Sequence, residues 1–101
     1  MWDLYACLTG PVTIYPHETE LIGTGLAMAI PKNYWGGIFP RSGIASKKYL
    51  RPANCVGVID ADYRGEILIA LHNDSNISRL IVPEERIAQF ALFPKFNLNF
   101  E

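Results

Sequence analysis

The sequence predicts an all-β fold, and two features of its residue pattern support that prediction. Short apolar segments alternate with clusters of proline, glycine, asparagine and aspartate, which is typical of strands joined by turns. No window sustains helical periodicity, so a helix longer than a turn or two is not expected. About seven short strands with frequent proline indicate a jelly roll or a related small barrel.

The first three predicted strands are each closed by the proline that follows them. Val12–Tyr15 alternates in polarity, Leu21–Ile30 is apolar but interrupted by two glycines, and Tyr34–Phe39 is rich in aromatic residues. Proline ends each segment because it cannot donate to the hydrogen-bond ladder of a sheet.

Four further strands are predicted in the second half of the chain. Val56–Ile59 is a short apolar run and Ile67–Leu71 a longer one. A strong turn cluster at residues 73–76 then separates them from Ile77–Val82 and Ile87–Phe93.

Length and composition predict a single small globular domain. The chain has 101 residues, half of them apolar, with a net charge of −1. No broad basic surface is expected, so nucleic acid is not a predicted partner. No apolar run is long enough to span a membrane, and the start resembles no secretory signal, so a cytoplasmic protein with reduced Cys7 and Cys55 is expected.

Four of the nine basic residues lie within eleven positions, at Arg41, Lys47, Lys48 and Arg51. A short basic loop in a nearly neutral protein suits a small polyanion. On charge alone, a solvated loop with no ligand is the favoured interpretation.

Residues 40–45, which directly follow a predicted strand, combine proline, arginine, serine and glycine. Glycine permits a close approach of the backbone, while Arg41 and Ser42 offer hydrogen-bond donors. Such a loop is a candidate phosphate cradle, although the same residues occur in ordinary turns.

Asp60 follows the apolar pair Val58 and Ile59 and is therefore expected at a strand end near the core boundary. A partly desolvated carboxylate there can serve as a general base. Asp62 lies on the same face if the segment stays extended, or in a turn if it does not. Two turn-forming aspartates with Tyr63 as packing explain the pattern equally well.

Gln89 falls among apolar neighbours and is a candidate ligand contact, or else a hydrogen-bonded structural glutamine. Residues 3–6 lie where order is not expected unless another element anchors them. His17 and His72 stand far from both cysteines in sequence, so zinc-ligand spacing is absent.

Four of these segments, in this order, resemble the motifs of the trimeric dUTPase family. Residues 3–6 resemble the end of its first motif, residues 40–45 its second, residues 57–66 its third and residues 86–89 its fourth. The match spans nearly the whole chain. The resemblance implies a β-clip, which is a distorted jelly roll, assembled as a homotrimer with active sites at subunit interfaces.

The resemblance also implies hydrolysis of dUTP to dUMP and pyrophosphate, with Mg²⁺ carried on the triphosphate. Asp60 would activate the attacking water, Tyr63 would exclude a 2′-hydroxyl, and Asn54 would read the uracil edge. Asp3 would belong to the outer shell of the metal or would support the site, with no direct protein ligand to the metal. The substrate-binding residues implied in this way are Arg41, Ser42, Gly43, Asn54, Gly57, Tyr63, Leu68 and Gln89.

Three departures from the family pattern are expected to matter. Residues 1–101 form one dUTPase-like domain that lacks the first strand and the glycine-rich fifth motif of the family, so turnover is expected to be low. Glu84 replaces a glycine in the turn before the fourth motif, which predicts a turn of a different shape.

Two alternatives to a dUTP hydrolase remain at this point. One is a dUTPase-like nucleotide-binding or regulatory protein with little catalysis. The other is a dCTP deaminase on the same fold, which would carry a glutamate three residues before Asn73. Ala70 occupies that position, so the deaminase is disfavoured.

Overall fold

The computed structural model describes residues 1–99, which form three antiparallel sheets and one short helix. The strands are β1 Trp2–Tyr5, β2 Val12–Ile14, β3 Thr19–Ala27, β4 Tyr34–Phe39, β5 Leu50–Pro52, β6 Gly57–Ile59, β7 Glu66–Asn73, β8 Arg79–Ile81 and β9 Arg86–Pro94, and the helix is α1 Ser42–Lys48. The prediction of an all-β fold is confirmed.

Three sheets divide the strands between them. The first has the order β1-β9-β4-β6, the second pairs β2 with β8, and the third has the order β3-β7-β5. All seven predicted strands are present, with ends shifted by up to three residues. The absence of a long helix is also confirmed for residues 1–99, because α1 has seven residues.

The core is built from strands that bury alternate side chains, as a sheet with one solvent-facing side requires. Strand β7 shows this most clearly. Ile67, Ile69 and Leu71 are almost completely buried, whereas Leu68 between them is 46% exposed. The outward side of β7 is therefore free to line a surface cavity.

Two short strands were not predicted from the sequence. Strand β1 is ordered because it pairs with β9, with Asp3 opposite Gln89, which supplies the anchor that a chain start needs. Strand β5 is the edge strand beside β7, with Arg51 opposite His72. It includes Pro52, and edge strands tolerate proline.

Glu84 takes a left-handed backbone conformation, with φ of +65°. Its N–H donates to the carbonyl of Ala6 at 2.8 Å, which holds the turn against β1. Glycine adopts this conformation freely, whereas a residue with a Cβ is strained there. Glu84 therefore adopts a conformation that glycine favours.

The described residues contain no helix that is both long and apolar enough to cross a membrane.

Candidate functional site

The residues singled out in the sequence fall into two groups around separate cavities, with Asp60 beside one of them. The first cavity has a volume of about 210 Å³ and is called the apolar cavity here. It is enclosed by Leu21, Ile38, Pro52, Asn54, Gly57, Val58, Ile59, Leu68, Ile69 and Ala70. Asn54, Gly57 and Leu68 of the predicted site thus meet in one place.

Asn54 lies on the turn between β5 and β6, where the chain reverses tightly. Cys55 has φ of +64°, and the N–H of Val56 donates to the carbonyl of Asn54 at 2.7 Å. The side-chain amide of Asn54 has no hydrogen bond to any residue between 1 and 99 and is exposed. Its donor and acceptor are therefore available to a ligand in the apolar cavity.

Gly57 allows the floor of the apolar cavity to close tightly. A Cβ at Gly57 would lie 3.2 Å from Nδ2 of Asn54 and 3.2 Å from Cβ of Ile38. Both distances are shorter than ordinary contacts, so a side chain there would displace the asparagine amide. This close packing, rather than backbone flexibility, explains the glycine at this position.

Asp60 directly follows β6, one residue beyond the wall of the apolar cavity. It lines a neighbouring cavity of about 480 Å³ together with Lys32, Trp35, Asp62 and Lys95. The predicted position at a strand end is therefore confirmed, but the side chain of Asp60 is exposed, so the partial desolvation suggested by the sequence is not found in the single chain.

The segment after Asp60 is a tight turn. The N–H of Tyr63 donates to the carbonyl of Asp60 at 3.1 Å, and Arg64 donates to the carbonyl of Ala61. Asp62 therefore lies in a turn and does not continue the strand. Tyr63 is 41% exposed, and its hydroxyl donates to the carbonyl of Glu66 at 2.7 Å.

The second cavity, of about 270 Å³, lies at the start of α1 and is called the basic cavity here. It is lined by Arg41, Gly43, Ile44, Lys47, Lys48, Glu85 and Arg86. Four cationic side chains against one carboxylate leave an excess of positive charge, which favours an anionic ligand. Ser42 is exposed at the first position of α1 and does not line this cavity.

Arg41 is held at the basic cavity by Asp3 from β1. The Asp3 carboxylate lies 3.4 Å from Nε of Arg41 and 3.5 Å from Nη1 of Arg86. Nε of Arg41 is buried and has no hydrogen-bond acceptor within the described residues, because the contact with Asp3 lacks hydrogen-bond geometry. Asp3 thus brings together arginines from two predicted motifs, and Arg41 keeps an unused donor.

Gln89 lies in the same sheet, between Asp3 on β1 and Phe39 on β4. Its side chain is half-buried and makes no hydrogen bond to residues 1–99. Of the two interpretations of Gln89, the hydrogen-bonded structural glutamine is thus not found in the described part of the chain, and the amide is free to meet a ligand.

The four basic residues that cluster in the sequence do not form one patch. Lys48 on α1 donates to Glu85 at 2.6 Å. Arg51 lies on β5, away from the basic cavity, and donates to Asp74 at 2.7 Å. The hydrogen bond to Asp74 raises the pKa of Arg51. The basic cavity includes Arg86 and not Arg51, although Arg86 was not among the site residues predicted from the sequence.

The described residues thus form an all-β protein with an apolar cavity that carries a free amide, a nearby exposed carboxylate and a separate basic cavity. The chain belongs to the dUTPase family, whose model matches residues 2–101.

Individual relatives agree with this family. The chain is 50% identical over 93 residues to the deoxyuridine 5′-triphosphate nucleotidohydrolase of Idiomarina loihiensis, covering 91% of this chain and 62% of that relative. The chain thus spans about three fifths of the length of that curated relative. The dUTPase of Streptococcus mutans has a similar structure, with a TM-score of 0.88, 26% identity, and coverage of 97% of this chain and 80% of that chain.

A mutant form of the dUTPase from phage phi11 of S. aureus, described with a structural Mg(II) ion, has a TM-score of 0.84 at 24% identity. The similarity covers 98% of this chain and 79% of that chain, and at this identity it supports the fold alone.

Proposed function

We propose that this chain hydrolyses dUTP to dUMP and pyrophosphate, with Asp60 as the base that activates water. The observation that carries the proposal is the joint presence, in a dUTPase-family chain, of a base-sized cavity beside Asp60 and a basic cavity around Arg41. Its direct test is pyrophosphate release from dUTP in the presence of Mg²⁺.

The apolar cavity suits a uracil base. Asn54 presents a free amide donor and acceptor, while Gly57 and Leu68 supply a close, apolar floor and wall. A site that hydrogen-bonds its substrate discriminates strongly against bases with a different donor pattern. Apolar walls alone would give only modest selectivity.

The basic cavity suits the phosphates. The guanidinium of Arg41 lines this cavity, and Gly43 leaves room for it, since a Cβ there would lie 3.1 Å from Nη1. Ser42 and Gln89 offer further donors near this region. Hydrogen bonds from an arginine guanidinium to phosphate are charge-assisted and therefore stronger than hydrogen bonds between neutral groups.

Magnesium fits this chain as an ion carried by the substrate. Residues 1–99 contain no group of three or more acidic, histidine or cysteine side chains that could hold a metal. Mg²⁺ bound mainly by phosphate and water needs no such cage and would neutralise phosphate charge during hydrolysis. Asp3 already contacts two arginines, which favours a supporting role for it over direct metal binding.

We further propose that complete sites form between copies of the chain, as in a homotrimer. The apolar and basic cavities share no lining residue, so one chain presents two half-sites. Large apolar side chains are also exposed beside the apolar cavity, with Leu21 at 63% and Val58 at 60%. Exposed apolar surface of this kind marks interaction sites.

Tyr63→Ala is expected to weaken discrimination between dUTP and UTP. The ring would pack against the deoxyribose, where a 2′-hydroxyl would clash, and alanine leaves that space open. The ratio of kcat/KM for dUTP to that for UTP should fall by about tenfold or more, the scale of a lost steric and packing contact. Tyr63→Phe keeps the ring but loses the hydroxyl bond to the Glu66 carbonyl, so its ratio should fall less than that of Tyr63→Ala. An unchanged ratio in Tyr63→Ala would contradict ribose exclusion by Tyr63.

A further inference from the structure

The position of the Tyr63 ring depends on Glu66, three residues along the chain. The Tyr63 hydroxyl donates to the backbone carbonyl of Glu66 at 2.7 Å. Tyr63 also closes the turn that begins at Asp60. Whatever fixes the backbone of Glu66 therefore helps to fix the turn between β6 and β7, which carries both Asp60 and Tyr63.

Regular pairing between β3 and β7 does not extend to Glu66. The strands are in register up to Gly23 opposite Leu68, and the register shifts before Ala27 pairs with Glu66. A bulge of this kind removes ladder hydrogen bonds and leaves backbone groups to be satisfied by other means.

Two side chains replace the missing ladder bonds across the bulge. The hydroxyl of Thr24 donates to the carbonyl of Ile67 at 2.7 Å. The N–H of Gly25 donates to Oε2 of Glu66 at 3.0 Å. The second bond ties the first residue of β7 to β3 through the Glu66 carboxylate.

Gly23 provides the space that this carboxylate occupies. A Cβ at Gly23 would lie 2.5 Å from Oε2 of Glu66, which is too close for the two atoms to coexist. Among the described glycines only Gly25 has a positive φ, so the backbone of Gly23 accepts alanine. An alanine at position 23 would therefore push the carboxylate away from Gly25 and leave Glu66 chemically intact.

We propose that Glu66 is a positioning residue for the reaction, whose carboxylate, held by the Gly25 N–H, sets the position of Tyr63 against the sugar. This inference rests on the proposed function. Glu66 itself lines neither the apolar cavity nor the basic cavity. It acts through the hydrogen bond that its carbonyl accepts from Tyr63.

Glu66→Ala is expected to lower the dUTP/UTP ratio of kcat/KM by about 2- to 10-fold, the range for one lost hydrogen bond. Glu66→Gln should keep the wild-type ratio, because the amide oxygen still accepts from Gly25. A loss caused by the missing negative charge would instead appear in both variants.

Gly23→Ala should reproduce the effect of Glu66→Ala from the opposite strand. Thr19→Val is the matched control, since it removes the 2.8 Å bond between Thr19 Oγ1 and His72 Nδ1 at the other end of the same strand pair. Thr19→Val should leave the dUTP/UTP ratio unchanged even if it lowers the Tm. A fall in the ratio as large as that of Glu66→Ala would show general loosening of the sheet and overturn the inference.

A second measurement separates this inference from the proposed function. The ring resonances of Tyr63, assigned by NMR in the full chain, should shift and narrow in Glu66→Ala and Gly23→Ala but not in Glu66→Gln. If wild-type protein releases no pyrophosphate, the proposed function fails and the Tyr63 resonances alone decide the inference. Wild-type resonances in both Glu66→Ala and Gly23→Ala would overturn it.

Discussion

Replacement of Asp60 by asparagine is expected to reduce pyrophosphate release from dUTP by about 10²- to 10⁴-fold, the usual contribution of a general base. Asparagine keeps the shape of aspartate and its ability to accept a hydrogen bond, but it cannot take a proton from water. Affinity for dUTP, measured by calorimetry, should therefore stay within a few-fold of wild type.

Asp62 provides the matched control for this prediction. It is two residues away, exposed, and lines the same cavity as Asp60, but it lies in the turn. Asp62→Asn makes the same chemical change and should retain hydrolysis. Loss of activity in Asp62→Asn together with full activity in Asp60→Asn would transfer the role of base to Asp62.

Arg41→Gln is expected to raise the KM for dUTP by about 10- to 100-fold, the range for a lost hydrogen bond to a charged group. Glutamine removes the positive charge and the guanidinium that lines the basic cavity. The KM for dUTP should rise more than the dissociation constant of deoxyuridine, which has no phosphate.

Arg51→Gln removes the same charge from a different place and is the control for Arg41→Gln. Arg51 is paired with Asp74 and does not line the basic cavity. Exposed ion pairs of this kind contribute little to stability. Equal increases in KM for both variants would mean that net charge, rather than contact with phosphate, explains the effect.

The strands that form because of a local residue pattern could be predicted from the sequence. Alternation along residues 67–71 and the turn cluster at 73–76 are local signals, and both are reproduced in β7 and the turn that follows it. Strands β1 and β5 were not predicted because each of them forms only by pairing with another strand. Trp2–Tyr5 needs β9, and Leu50–Pro52 contains a proline that only an edge strand tolerates.

The site was predictable in its residue types but not in its arrangement. Asn54 and Gly57 are close in sequence, but Leu68 lies on β7 in another sheet, and only the packing of the β4–β6 pair beside the β5–β7 pair collects all three around one cavity. Three further features depend on the registers between strands that are distant in sequence. They are the exposure of Asp60, the presence of Arg86 rather than Arg51 at the basic cavity, and the hydrogen bond between Glu66 and Gly25. Periodicity carries no information about such registers.

The proposed half-sites can be tested by mixing two impaired variants at a dUTP concentration far below the KM of either. Asp60→Asn keeps the basic cavity, and Arg41→Gln keeps the apolar cavity with its base. If complete sites form between neighbouring copies, refolding equal amounts of both variants together should restore about a quarter of wild-type pyrophosphate release from dUTP, because a quarter of randomly formed interfaces join two intact halves. Absence of any recovery, in a mixture that is folded and assembled like an active wild-type sample, would contradict a shared site.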